Sequence, residues 1–282
     1  MKIAFLIIAY DNPDHLFRLV QTLKKSRNFG IFIHIDKKCK YIFPNFEPDI
    51  YVEKNPVKVD WGDYNFIEAV NKLLSAAIKN EYDRYCLISG TDYPLVSNEY
   101  IEKFFIDNDN EYINLFKMPE NNKSLNRIYY YRFRSNSFFT RTVNLLNRLL
   151  RVHRKYPKKY QHYILYAGST WWALTKSCVK YILDFNRNEK SYNTFYKHTY
   201  NPDKMYFHTI IGNSHYRKKA KHVLTYTDWS KGKAHPAILT SDHFKNQKVI
   251  KNEDNTPYLF ARKFTDYSKD VLSYIDTTKK YE

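Results

Sequence analysis

The sequence alternates apolar, strand-like runs with amphipathic helical patterns, and this order restricts the possible folds more than any other feature. The strand-like runs cover residues 2–9, 32–35 and 85–88, and the helical patterns cover residues 14–26, 64–79 and 98–107. Such alternation is typical of βαβ units with a mostly parallel sheet. We therefore predict an α/β fold whose mostly parallel central sheet is flanked by helices.

The third strand-like run ends in a turn of small residues that contains one carboxylate. The turn reads Ser89-Gly90-Thr91-Asp92, and Pro94 prevents the strand from continuing. Ligand sites of open α/β sheets lie at the carboxyl ends of such strands. Asp92 is therefore a candidate binding residue, although an ordinary exit from a strand into a loop would read the same.

The formal net charge of +17 is concentrated in the middle of the chain. No acidic residue lies between Glu120 and Asp184, whereas this segment contains Lys123, Arg127, Arg132, Arg134, Arg141, Arg148, Arg151, Arg154, Lys155, Lys158, Lys159, Lys176 and Lys180. Such a field attracts polyanions or an anionic membrane surface. No helix-turn-helix, zinc-finger or RNA-binding signature accompanies the charge, so a nucleic-acid partner is not predicted.

Residues 142–154 combine leucines and valines with interspersed arginines, as in a basic amphipathic helix. Such a helix can lie flat on a membrane, and residues 121–160 are our candidate for contact with an anionic leaflet. The alternative is a helix packed on the core with its arginines in water. The sequence alone leaves both interpretations open.

The remaining composition predicts a cytoplasmic protein, peripheral at the inner membrane. No apolar run approaches the roughly 20 residues that span a bilayer, and residues 2–9 fit a buried first strand better than a signal sequence. Cys39, Cys86 and Cys178 are widely spaced and lie beside apolar runs, which favours reduced thiols over disulfides or a metal site.

Several short segments, read in order, resemble one family. They are His34-Ile35-Asp36-Lys37-Lys38, Trp61-Gly62-Asp63-Tyr64, Leu87 to Leu95, Gly168-Ser169-Thr170-Trp171-Trp172, Asn201-Pro202-Asp203-Lys204 with Phe207-His208-Thr209, and Leu259-Phe260-Ala261-Arg262-Lys263-Phe264. The set resembles the core-2/I-branching β-1,6-N-acetylglucosaminyltransferase and peptide xylosyltransferase family in a short bacterial form. The resemblance extends from about residue 3 to residue 266.

The resemblance implies a GT-A-like single domain, a UDP-sugar donor, inversion at the anomeric carbon and no metal cofactor. It implies one domain over residues 1–282, with a nucleotide-binding half (1–118) and an acceptor- and diphosphate-binding half (119–282). Most GT-A enzymes hold a cation with an Asp-X-Asp motif, because the departing diphosphate accumulates negative charge. Asp107-Asn108-Asp109 matches that pattern, but it follows a helical stretch rather than a strand.

The family motifs assign donor-binding roles to particular residues. Asp36 matches the carboxylate that recognises uracil, Asp92 matches the acid that binds donor-sugar hydroxyls, and Lys263 matches the basic residue that contacts the diphosphate. Arg262 can grip phosphate oxygens with its fork of donors, and Trp171 offers a flat face to a sugar. Lys233 is a further candidate cation. For Arg262 and Lys263 the alternative is solvated surface charge, and for Trp171 it is a place in the core.

The sequence departs from the family at the general base. The family places a glutamate directly after Pro-Asp, and this chain has Lys204 there. A lysine at its usual pKa is protonated and cannot accept the acceptor's proton. Three outcomes stay open: Asp203 is the base, Lys204 has a lowered pKa, or the protein binds its donor without efficient catalysis. His198, His208 and His215 are further candidate substitutes.

We predict a UDP-sugar-dependent inverting glycosyltransferase with Asp203 and Lys204 at its catalytic centre. The xylosyltransferase branch tends to have an acid where this chain has Thr170, which favours an N-acetylhexosamine donor over xylose. The predicted acceptor is a glycan or lipid-linked glycan of the cell surface. The alternative is a catalytically weak relative that binds a sugar nucleotide or polyanion.

Overall fold

The structure is a computed structural model that describes residues 1–120, 124–133, 138–150, 152–230, 235–245, 251–252 and 255–278. Its strands are β1 (Ile3–Ala9), β2 (Phe29–Ile35), β3 (Tyr51–Val52), β4 (Arg84–Ser89), β5 (Asp92–Pro94), β6 (Glu111–Tyr112), β7 (Phe116–Lys117), β8 (Tyr166–Ala167), β9 (Trp172–Thr175), β10 (Ala220–Lys221), β11 (Thr225–Thr227) and β12 (Phe260–Arg262). Its helices are α1 (Pro13–Lys24), α2 (Asn65–Ala77), α3 (Asn98–Phe105), α4 (Asn126–Tyr129), α5 (Phe138–Leu149), α6 (Lys176–Asn188), α7 (Lys190–Tyr196), α8 (Tyr206–Gly212), α9 (Ser241–Lys245) and α10 (Lys269–Thr278). Short 3₁₀ turns cover Lys158–Tyr160, Pro202–Lys204 and His215–Lys219.

A seven-stranded sheet forms the centre of the fold, in the order β10-β6-β9-β4-β1-β2-β3. The three predicted strands become β4, β1 and β2, which lie side by side and parallel. Only β9 runs antiparallel to its neighbours β4 and β6 among the strands described in this sheet. The predicted α/β class with a mostly parallel sheet and flanking helices is confirmed.

Strand β2 begins at Phe29, three residues before the predicted start. Gly30 reads as a strand breaker in the sequence, yet it pairs with Ala4 of β1. The Tyr82 side chain occupies the space that a β-carbon at position 30 would need. The glycine therefore lets this ring approach the strand.

Alternation along β1 separates the two cores. Ala4 and Leu6 point to the face covered by α2, α6 and α8, and Ile3, Phe5 and Ile7 point to the face covered by α1 and α10. Helix α2, which the helical pattern over residues 64–79 predicted, buries Ile67, Ala69, Val70, Leu73, Leu74 and Ala77 in the core. Because both faces are covered, the carboxyl-terminal edge of β1, β2 and β4 is a natural place for a ligand.

A second, three-stranded sheet has the order β11-β12-β5. Strand β12 runs antiparallel to β5, and its register places Arg262 opposite Asp92. Residues that are 170 positions apart in the sequence therefore meet directly beyond β4. The predicted division into halves 1–118 and 119–282 stays a prediction.

The predicted helix over residues 142–154 is displaced, because α5 covers Phe138–Leu149. Arg154 was expected to face water or lipid, and this expectation is wrong. Its side chain is buried, donates to the carbonyl oxygens of His198 (2.6 Å) and Phe195, and lies over the Phe195 ring. Burial lowers the pKa of Arg154 to about 10.

In the described part of the chain, no helix is both long and apolar enough to cross a bilayer.

Replacing Arg154 by Ala is expected to lower the free energy of unfolding, because it orphans buried carbonyl groups at about 1–3 kcal/mol each. Denaturant unfolding measures the change. Arg187→Ala is the matched control, since Arg187 is exposed and pairs only at the surface with Asp184. Equal unfolding free energies for the two variants would contradict the anchoring role of Arg154.

Candidate active site

The centre of the candidate site is an ion pair between Asp92 and Arg262. Asp92 is fully buried, and its Oδ1 accepts a hydrogen bond from Arg262 Nε at 3.0 Å. Asp92 Oδ2 has no hydrogen-bond partner within the described residues. Asp92 thus fixes the Arg262 guanidinium, whose remaining donors are left for other groups. The predicted contact of Asp92 with a donor sugar stays a prediction.

Arg262 also contacts Trp171, the second predicted donor-binding residue. The guanidinium carbon lies 4.6 Å from the centroid of the Trp171 ring, and Phe66 meets this ring edge-on. Trp171 is largely buried, as is its neighbour Trp172. The side chain therefore supports Arg262 in this structure, and its predicted stacking on a sugar stays a prediction.

Asp203 and Lys204 meet at the hydroxyl group of Thr170. Thr170 Oγ1 donates to Asp203 Oδ2 at 2.7 Å, and Lys204 Nζ donates to the same hydroxyl at 3.2 Å. This chain of donors orients the Asp203 carboxylate, which has further acceptor positions besides the one that Thr170 occupies. Thr170 directly precedes Trp171, so the predicted catalytic pair lies beside the Arg262 cluster.

The surroundings of Lys204 lower its pKa from the ordinary lysine value. Burial lowers the pKa of Lys204 most, the nearby Asp203 opposes this shift, and the positive charges of Arg262 and Arg127 lower it further. Arg127 lies in the basic segment noted above, and its local sequence does not distinguish it from the other basic residues there. Its proximity to Lys204 depends on the tertiary structure.

Backbone contacts hold the Pro202–Lys204 turn in place. Asn201 has a left-handed backbone, with φ 50°, and its amide donates to the carbonyl of Gly62. The amide of Gly168 donates to the carbonyl of Lys204, and a β-carbon at position 168 would clash with the carbonyl of Asn114. Gly62 and Gly168 therefore let their backbone segments pack closely against the turn and its neighbours.

Asp36 lies at the same edge of the sheet, directly after β2. Its carboxylate is buried and accepts from the backbone amides of Lys38 (2.9 Å) and Val59 (3.3 Å). Only β1 separates β2 from β4, so Asp36 and Asp92 belong to one edge. Its predicted role in recognising uracil stays a prediction.

The other sequence candidates lie in different places. Lys263 follows Arg262, and its carbonyl accepts from the amide of Leu239. Lys233 falls outside the described residues. His208 is buried, with its Nε2 2.8 Å from the carbonyl oxygen of Ser169, and His215 packs on Tyr216. These contacts give the two histidines structural roles.

The Asp107-Asn108-Asp109 motif lies away from the candidate site. The carbonyl of Asn108 accepts from Arg84, which begins β4, whereas the site lies beyond the other end of that strand. Asp109 forms an ion pair with Lys219. Within the described ranges, no group of three or more His, Cys, Asp or Glu residues is arranged to hold a metal ion.

The burial of Asp92 predicts a pH dependence of stability. Burial raises the pKa of Asp92 from its ordinary 3.8 to about 6, and Arg262 opposes the shift. Between about pH 4 and pH 6 the folded state therefore binds more protons than the unfolded state, so stability declines as pH rises. We expect the unfolding free energy of wild type to fall across this window relative to that of Asp92→Asn. A constant difference from pH 4 to pH 7 would contradict the raised pKa.

The comparisons with known proteins identify a family. The Core-2/I-Branching enzyme family matches residues 3–252. Xylosyltransferase 2 of Rattus norvegicus is 22% identical over 302 aligned residues, which cover 98% of this chain and 33% of the rat protein. Xylosyltransferase 1 of Mus musculus is 20% identical over 251 residues, which cover 82% of this chain and 24% of the mouse protein. The chain thus spans a third or less of the length of these relatives.

A solved structure, S. aureus TarS 1–349 in complex with UDP-GlcNAc, is 12% identical to the chain, with a TM-score of 0.31. The likeness covers 64% of this chain and 47% of the TarS chain. The family match covers most of the 282 residues, and the resemblance seen in the sequence motifs is confirmed. The chain belongs to the Core-2/I-branching enzyme family of glycosyltransferases, which is metal-independent.

Proposed function

We propose that this protein transfers a sugar from a UDP-sugar to a glycan acceptor with inversion, and that side-chain cations stabilise the leaving diphosphate. The arrangement of Asp92, Arg262 and Trp171 carries the proposal. It fixes a guanidinium between a buried carboxylate and an aromatic ring, beside a second carboxylate, Asp203. Preorganised charge of this kind favours a transition state in which negative charge develops on the leaving group.

In the proposed reaction, Asp203 accepts the proton of an acceptor hydroxyl as its oxygen forms a bond to the anomeric carbon. The bond from that carbon to the diphosphate oxygen breaks, and its electron pair leaves with UDP. Arg262 and Lys263 face the charge that develops on UDP. Lys204 orients Thr170, which in turn donates to the Asp203 carboxylate.

We also propose a class of donor and a class of acceptor. Thr170, which donates to Asp203, stands where the xylosyltransferase branch tends to have an acid, and this difference supports an N-acetylhexosamine donor over xylose. We propose a cell-surface glycan, such as a capsule or lipopolysaccharide, as acceptor. All three cysteines are free thiols, which supports a reducing, cytoplasmic site of reaction.

A second candidate function is binding of a sugar nucleotide or polyanion without efficient transfer. Lys204 favours it, because a cation occupies the position of the family glutamate. The two candidates differ in whether bound donor turns over.

UDP release from a panel of UDP-sugars in EDTA, with a candidate glycan acceptor, separates the two functions. UDP affinity is measured on the same samples by calorimetry. Acceptor-dependent UDP release supports the transferase. Tight UDP binding without release for any donor and acceptor supports the sugar-nucleotide binder. Absence of UDP binding would contradict both the transferase and the sugar-nucleotide binder, and would leave only the polyanion binder.

A further inference from the structure

Helix α5 presents apolar side chains to solvent. Phe138 is 85% exposed, Leu149 is 68% exposed and Leu150, directly after the helix, is 72% exposed. Phe139, Leu145 and Leu146 are also exposed, and at 100° per residue all six lie on one side of the helix. A contiguous apolar face of this kind marks an interaction surface.

The charge around α5 is positive. The 63 residues from 121 to 183 contain no Asp or Glu, so no carboxylate of this segment opposes its basic residues. Arg132 and Arg141 are exposed, close in sequence to the apolar face. An exposed apolar face flanked by arginines suits an anionic bilayer, because the apolar side chains enter the interface while the cations meet the head groups.

A groove of about 670 Å³ lies between α5 and the segment that precedes it. Its lining includes Arg127, Tyr131, Arg132 and Tyr200, together with Leu145 and Leu149 of α5. The Arg132 guanidinium stacks 4.5 Å above the Tyr200 ring. Arg127 Nη1 is buried and lacks a hydrogen-bond partner within the described ranges. The groove therefore combines donors suited to a phosphate with an apolar wall suited to an acyl or isoprenoid chain.

The groove adjoins the candidate active site. Tyr200 directly precedes the Asn201–Lys204 segment, and its amide donates to the carbonyl of Arg127. The charge of Arg127 also acts on Lys204. A phosphate held at Arg127 would thus lie near the Thr170, Asp203 and Lys204 group.

We propose that α5 docks this protein on an anionic bilayer and that the groove takes the phosphate-bearing head of a lipid. The acceptor is then a glycan joined to a lipid through phosphate, and it enters the site from the membrane surface. The identity of the acceptor rests on the proposed transferase function, whereas membrane docking does not. Membrane docking is measurable without it.

Vesicle flotation tests the docking. Wild type is expected to float with vesicles of phosphatidylcholine and phosphatidylglycerol, not with phosphatidylcholine alone, and to dissociate near 1 M salt, where the Debye length is about 3 Å. Leu146→Asp with Leu150→Asp is expected to weaken binding by at least about tenfold, since both leucines leave the interface. UDP affinity of this variant should equal that of wild type.

The groove is tested with Arg127→Gln and Arg132→Gln together. At about 1 kcal/mol per basic residue, the variant should bind anionic vesicles roughly tenfold or more weakly. Lys218→Gln with Lys221→Gln is the control, because it removes the same charge from exposed positions outside the groove and α5. Equal losses of vesicle binding in the two double variants would mean that only the total positive charge matters. That result would overturn the groove assignment.

Other outcomes also overturn the proposal. Salt-insensitive binding, equal binding to neutral vesicles, or no binding would each do so. Self-association abolished by the Leu146 and Leu150 changes would assign the apolar face to a second copy of the chain. Displacement from vesicles by inorganic phosphate, with no similar effect of sulfate, would assign the groove to free phosphate. Vesicle binding without sugar transfer would leave docking intact and contradict the transferase function.

Discussion

Replacing Asp203 by Asn is expected to lower the rate of sugar transfer by about 10²–10⁴-fold, the usual contribution of a positioned general base. The amide keeps the size of the carboxylate and can still accept from Thr170, whose hydroxyl lies 2.7 Å from Asp203 Oδ2. It cannot take the acceptor's proton. UDP affinity should be unchanged, because Asp203 faces the acceptor in the proposed reaction.

The measurement is the steady-state rate of UDP release with acceptor present, compared with UDP affinity on the same sample. Lys204→Ala serves as the comparison, because Lys204 shares the Thr170 hydroxyl but is not the proposed base. A large loss in Lys204→Ala with a small loss in Asp203→Asn would make the neutral amine of Lys204 the base. The pH profile of sugar transfer by wild type would then report the lowered pKa of that amine.

Removing the cations of Arg262 and Lys263 is expected to lower UDP affinity by about 100-fold or more, since a hydrogen bond to a charged group contributes roughly 1.5–3 kcal/mol. Arg262→Gln alone would leave Asp92 buried without its ionic partner and destabilise the fold. Arg262→Gln is therefore combined with Asp92→Asn, which replaces the ion pair by a neutral one. Lys263→Ala is added to this pair.

Calorimetric titration with UDP measures the effect, and Asp92→Asn alone supplies the reference. The charge control is Arg187→Gln with Lys190→Ala, because both side chains are exposed on the surface. Full UDP affinity in the triple variant, together with a native unfolding transition, would reject the assignment of the diphosphate to these residues.

The sequence predicted the elements whose pattern is local. Strands β1, β2 and β4 come from apolar runs and helix α2 has a strong helical periodicity, and all four formed close to the expected positions. The antiparallel strand β9 was not predicted, because it has only four residues and its pairing with β4 and β6 depends on distant segments. Local patterns contain no information on such long-range pairing.

The site was predictable as a set of residues but not as an arrangement. Asp92 and Arg262 were each selected, yet their ion pair joins positions 170 residues apart and depends on the register of β5 with β12. For Arg154 the prediction was wrong. Its sequence neighbours predicted an exposed side chain, but in the fold it is buried and donates to the carbonyl of His198. Charge alone does not reveal whether a side chain will find buried acceptors.

The central claim is that fixed arginine and lysine side chains hold the UDP diphosphate during transfer. UDP release by wild type, measured in EDTA and again with added Mn²⁺, tests it most directly. We expect equal rates of UDP release under the two conditions. In the triple variant of Asp92, Arg262 and Lys263, added Mn²⁺ should not restore UDP release. Loss of wild-type turnover in EDTA that Mn²⁺ restores would contradict it.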